Sequence, residues 1–207
     1  MKNAKTLLFA LALTTLSAPA FAGAPAPSAC GAFSTAMTTR ILGIFHDKTE
    51  TQAQKQTALA ALFQQAVDTD WIGKFALGPY WRTAPQQERK PYLDTFRNYL
   101  TDIYISKFHA DDAEQIKDIK LLSIAPQADD RLYVKSLIER KGDGKTAGED
   151  TQVDYILKQS PHECQVHDIR VAGVSLLVTL RSEFSEVASD SGVKGVISQM
   201  QKRLAAD

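Results

Sequence analysis

The 207-residue chain reads as an α+β protein, with helices packed on one face of a twisted antiparallel sheet of about four strands. Three observations predict this. Apolar residues recur at steps of three and four from Phe33 to Phe108, and they alternate at a period of two between Glu114 and Val171. From Leu176 onward the helical step returns, so the order is helices, then strands, then helices.

The first helix rests on Phe33, Met37, Ile41, Ile44 and Phe45, which share one face. Thr49 with Gln52 has the form of a capping box and introduces a second helix, with Leu59, Leu62, Phe63, Ala66 and Val67 along one side. Asp68 to Leu77 reads as a short third helix stopped by Gly78 and Pro79. Thr83 with Gln86 forms a further box, opening a long helix from about Ala84 to Phe108. Tyr92, Phe96, Tyr99, Leu100, Ile103, Tyr104 and Phe108 give it a broad aromatic stripe, while Pro91 should kink it or displace its start.

In the period-two region Leu132, Val134, Ser136 and Ile138 alternate with Tyr133, Lys135, Leu137 and Glu139. Val153, Tyr155 and Leu157 alternate in the same way with their neighbours, and Lys141-Gly142-Asp143-Gly144-Lys145 supplies a turn that pairs the two strands as an antiparallel hairpin. Strands near Ile116–Ile124 and Cys164–Val171 complete a meander of four. Two helices, Ser175–Ala188 and Val193–Leu204, close the chain. Several strands are apolar on both faces, so one face can serve the core while the surplus lines a cavity.

Lys2 and Lys5, the apolar run Leu7–Leu16 and Ala20-Phe21-Ala22 read as a secretory signal peptide over residues 1–22, cleaved near Ala22/Gly23. Residues 23–207 then form one domain, with no apolar stretch long enough to be membrane-embedded. Losing Lys2 and Lys5 leaves 22 basic against 24 acidic residues, a net charge of −2, which argues against nucleic acid and against tight docking on anionic lipid.

Cys30 and Cys164 both lie in the exported part, where a single pair reads as one disulfide closing a loop of 134 residues. The alternatives are two free thiols, or a lipidated Cys30, although Pro27-Ser28-Ala29 lacks the Leu-like residue such a site carries three positions earlier.

Catalytic and metal motifs are weak. His162-Glu163-Cys164-Gln165-Val166-His167 puts its second imidazole at i+5, where a zincin helix requires i+4, so no metal site is expected. Gly173-Val174-Ser175 runs on into Leu176-Leu177 and is no nucleophile elbow; Ser175 is better read as a helix N-cap. Gly142, Gly144 and Lys145 lack the gap and the following Ser/Thr of a phosphate loop.

Two blocks carry a resemblance. Val171-Ala172-Gly173-Val174-Ser175-Leu176-Leu177 leads through a turn into a helix bearing Arg181-Ser182-Glu183-Phe184, and Leu77-Gly78-Pro79-Tyr80-Trp81-Arg82-Thr83 is followed by Pro85, Gln86 and Gln87. Together they resemble the periplasmic phospholipid-binding proteins of the MlaC, or toluene-tolerance, family, with the similarity running from about Ile41 to the C-terminus. Pro91 and the two cysteines depart from the family pattern.

The resemblance implies a shuttle that exchanges glycerophospholipid between an outer-membrane lipoprotein complex and an inner-membrane ABC transporter with a lipid-binding subunit. Acyl chains would sit between sheet and helices in an apolar pocket near the upper end of the usual range of about 300–1,000 Å³, with no cofactor and no catalysis. Candidate lipid-binding residues are Tyr80, Trp81, Arg82, Phe96, Leu100, Ile103, Tyr104, Val134, Val153, Tyr155, Val174, Leu177 and Phe184. Tyr80-Trp81-Arg82 admits two readings: aromatics plugging the core with Arg82 paired to a carboxylate, or aromatics at a pocket mouth with Arg82 near a lipid phosphate. Arg181 is open in the same way. The rivals are a carrier of hopanoid-type lipid, a small periplasmic hydrolase using His167 or His109 with a nearby Asp, and a structural adaptor with a solid core.

Overall fold

A computed structural model describes residues 29–106, 114–142, 150–160 and 163–206. The expected leader, Phe108, His109, the centre of the Lys141–Lys145 turn and His162 lie outside the described residues.

Helix α1 spans Ala29–His46 and α2 spans Gln52–Ala66. The capping box of α2 forms two residues later than expected: the Thr51 hydroxyl accepts from the Gln54 amide, and the Gln54 side chain accepts from the Thr51 amide. Thr49 is instead drawn to the Asp47 carboxylate, which holds both its amide and its hydroxyl. Asp68 caps α3 (Thr69–Leu77) by accepting from the Trp71 amide at 2.9 Å, and a short α4 (Pro79–Thr83) follows Gly78.

Helix α5 spans Gln86–Thr101 and runs through Pro91. The expected Thr83–Gln86 box is absent, because Pro85 occupies the cap and the Thr83 hydroxyl turns back to the Tyr80 carbonyl. Beyond Thr101 the chain widens into a π-helical turn, Asp102–Ser106, so the single long helix of the sequence reading is two geometries in series.

The sheet has five strands where about four were expected. They are β1 Ile116–Gln127, β2 Arg131–Arg140, β3 Thr151–Gln159, β4 Cys164–Val171 and the two-residue β5 Val174–Ser175, antiparallel and in sequential order. In β2 and β3 the register sets Leu132 opposite Leu157, Val134 opposite Tyr155 and Ser136 opposite Val153, which puts the alternating apolar set on one face. A bulge in β1 between Leu121 and Ser123 leaves Leu122 exposed.

The last helix, α6, spans Leu176–Leu204 and is broken by Gly192 (φ 63°, ψ −167°), a backbone setting that a β-carbon would oppose. The two closing helices are therefore joined through a kink.

α1, α3, α5 and α6 share one core with the covered face of the sheet. At its centre Tyr92, Phe96 and Phe184 are fully buried, with Phe96 and Phe184 edge to face at 5.9 Å between centroids. The Tyr92 hydroxyl donates to the Gly73 carbonyl at 2.8 Å, and burial raises its pKa. A β-carbon on Gly73 would sit 2.9 Å from a Phe96 ring carbon, so glycine is what lets α3 and α5 approach.

Candidate functional site

The seam between β4 and the helices gathers apolar side chains from six elements, Ile72 of α3 among them. Phe63 comes from α2, Leu100 from α5, Tyr104 from the π-turn, Ile169 from β4, and Leu177 and Leu180 from α6. They surround a space of about 20 Å³. That volume admits one water and no acyl chain, so at this seam the walls are in contact with one another. The widened π-turn sets where Tyr104 enters the seam. Burial, with the charges of Glu183 and Asp168 nearby, pushes its phenol pKa up to about 12, so it stays neutral.

The polar side of the seam is built from consecutive residues of β4, at a register shift between Ile156 and Leu157 of β3. Asp168 accepts from the Ser175 hydroxyl at 2.8 Å and from the Leu177 amide at 3.1 Å, while Ser175 itself caps α6 by accepting from the Val178 amide. His167 stacks on Trp71 with centroids 4.0 Å apart, and its Nε2 lies 3.4 Å from an Asp68 oxygen. Its pairing with Asp68 places the ring proton on Nε2, and the buried Nδ1, without a hydrogen-bond partner among the described residues, is left as a bare acceptor. Burial holds the imidazole below its usual pKa, and Arg131 and Lys158 add to that against the opposing pull of Asp68.

Of the candidate residues, Leu100, Tyr104 and Leu177 line this seam. Phe96, Val134 and Phe184 are buried in the adjoining core, and Ile103 packs half-buried against it. Tyr155 lies under α1, its hydroxyl met by Ser34 and Thr38, and Val153 is half-buried beside it on β3. Val174 is 61% exposed, because the two-residue β5 that the sequence reading missed turns it outward.

Tyr80 and Trp81 stand away from the seam, with the Trp81 ring 6.2 Å from that of Tyr92, and Arg82 is exposed beside them. Phe63, Ile169 and Leu180 were missed as wall residues although their apolar stripes were visible; nothing in the sequence flagged Asp168. In the His162–His167 stretch the thiol is taken up in the Cys30–Cys164 disulfide, whose Cα atoms are 5.4 Å apart, and His167 faces Asp68.

A family model described as MlaC protein matches residues 35–202. The chain belongs to the MlaC family. No curated protein matches the sequence. The fold is similar to that of a phospholipid-binding protein from Ralstonia solanacearum solved in complex with a phospholipid, at a TM-score of 0.65 and 21% identity, covering 84% of this chain and 96% of that one. Among the described residues no helix is long and apolar enough to cross a membrane.

In this MlaC-family chain the two signature blocks meet. The Arg181 guanidinium lies 4.7 Å from the Phe75 ring centroid, reaches the Phe75 carbonyl at 3.5 Å, and sits 3.3 Å from where a Gly78 β-carbon would be. Arg181 thus joins α6 to the C-terminal end of α3, where the helix dipole favours a cation.

Proposed function

We propose that the protein is a periplasmic phospholipid carrier, exported by the 1–22 leader, that exchanges lipid between an outer-membrane lipoprotein complex and an inner-membrane ABC transporter without altering it. The observation that carries this reading is the family match over residues 35–202, and the phospholipid bound by the Ralstonia solanacearum protein of similar fold supports it. The physical need is clear: a diacyl lipid exposes about 30 methylenes, at roughly 0.8 kcal/mol each, so free transit through water is negligible.

Loading at this seam parts β4 from the α5–α6 layer, since the seam holds about 20 Å³. The apolar wall area uncovered by parting is covered again by the tails, so the exchange of wall–wall for wall–tail contact costs little net hydrophobic free energy. Affinity then follows tail burial more than head-group identity.

Native mass spectrometry of gently purified protein tests this. Co-purifying lipid is the expected result, and its identity separates a glycerophospholipid from a hopanoid-type cargo; a clean apo mass in repeated preparations overturns the reading. Leu177→Asp should abolish loading in protein that still folds.

A further inference from the structure

Four cations cluster where α3, α4, α5 and α6 meet, and among the described residues none of them meets a carboxylate. Lys74 lies 5.8 Å and Arg89 5.4 Å from the Trp81 ring centroid. Arg89 is held in place by backbone carbonyls, donating to Ala84 at 3.2 Å and Arg82 at 3.3 Å, and by the Gln86 side chain at 3.3 Å. Arg181 is pinned on Phe75, and Arg82 and Lys74 are exposed. The carboxylates nearby are committed elsewhere: Asp70 to Arg97, Asp94 to Lys90 and Glu88 to Lys194. Glu183 acts on Tyr104, on the seam side of α6.

Like charges gathered this way repel one another, and two of the four are immobilised without an acid to balance them. From this we infer that the Lys74–Arg82–Arg89–Arg181 surface docks a carboxylate-rich face of a partner protein. Guanidinium forks match carboxylates in geometry, and pinning Arg89 and Arg181 beforehand lowers the entropy lost on binding. A bilayer is the poorer fit. Tyr80 and Trp81 are half-buried, and the large exposed apolar side chains, Leu122, Ile124, Val171, Val174 and Val178, all belong to the sheet or the start of α6, so the patch has nothing to insert. Such a surface accelerates encounter and fixes orientation while leaving release easy, because its Coulomb energy is screened within about 8 Å at physiological salt.

The test titrates the full exported chain with poly-L-glutamate and, separately, with phosphatidylglycerol vesicles, at low and at physiological salt. Because the probe is a carboxylate polymer, the readout does not depend on whether the protein carries lipid. Binding to poly-L-glutamate should weaken about tenfold in Lys74→Glu/Arg82→Glu, and to a lesser extent in Lys74→Gln/Arg82→Gln, with unchanged melting. Lys48→Glu/Lys202→Glu, which reverses two exposed lysines elsewhere and alters net charge equally, should change it by about twofold or less. Equal weakening in both reversals, no binding of the polymer, or tighter patch-dependent binding to the vesicles overturns the inference.

Discussion

The Asp168 carboxylate on β4 accepts a hydrogen bond from the Leu177 backbone amide in the first turn of α6, at 3.1 Å, across nine residues of chain. Its other oxygen holds the Ser175 hydroxyl at 2.8 Å, so one strand residue satisfies a helix-start donor and steadies the cap that satisfies another. Asp168→Ala should cost about 2–4 kcal/mol in urea denaturation, since it strands a buried amide as well as deleting a charge-assisted bond. Asp168→Asn keeps one acceptor and should cost less. A loss under about 0.5 kcal/mol for the alanine variant would remove Asp168 from this role.

His167 makes stability depend on pH. Its folded pKa is lowered by burial, so the native state holds the neutral ring while the unfolded chain takes up a proton near 6.5. The contribution is therefore complete above about pH 6.5 and is lost as pH falls from there through the lowered folded value. Asp68, Arg131 and Lys158 face the ring, the first opposing the shift and the other two reinforcing it. Denaturation midpoints should fall from pH 7 to pH 5 in the native sequence and fall less in His167→Phe, which keeps the stack on Trp71.

The Cys30–Cys164 bridge ties the start of α1 to the start of β4 across 134 residues. Replacing both cysteines by serine should lower unfolding stability by about 4 kcal/mol in the chain-entropy account. Thiol titration of the denatured, unreduced protein should find no free sulfhydryl.

Widening the seam should separate stability from loading. Leu100→Ala removes a side chain that is 3% exposed and should cost about 2–4 kcal/mol, while lipid retention in mass spectra persists. Leu177→Trp fills the space instead and should lower retention. If Leu100→Ala keeps its melting point, the seam is not packed as described.

The fold class, the four main strands and the helical stripes were legible because each is a periodicity, and periodicity is a property of neighbours in sequence. β2 is one case: alternation from Leu132 to Glu139 marks the strand that is found. Cap positions were less legible, since Thr49 and Thr51 are equally suited to the role and the choice turned on Asp47 capturing Thr49. The π-turn after Thr101 had no visible cause, because the aromatic stripe continues through it at nearly the same spacing.

Local chemistry, then, was enough to say which residues are apolar and which way each element presents them, and the two signature blocks pointed to the family. Which of those apolar residues meet across the seam was decided by three-dimensional packing. Phe63, Leu100, Ile169 and Leu180 are scattered over the chain and become neighbours only once β4, α5 and α6 are docked. The same holds for Asp168 and for the unbalanced cations around Trp81, whose roles depend on what lies beside them in space, since hydrogen bonds and Coulomb interactions act through distance and not through sequence order.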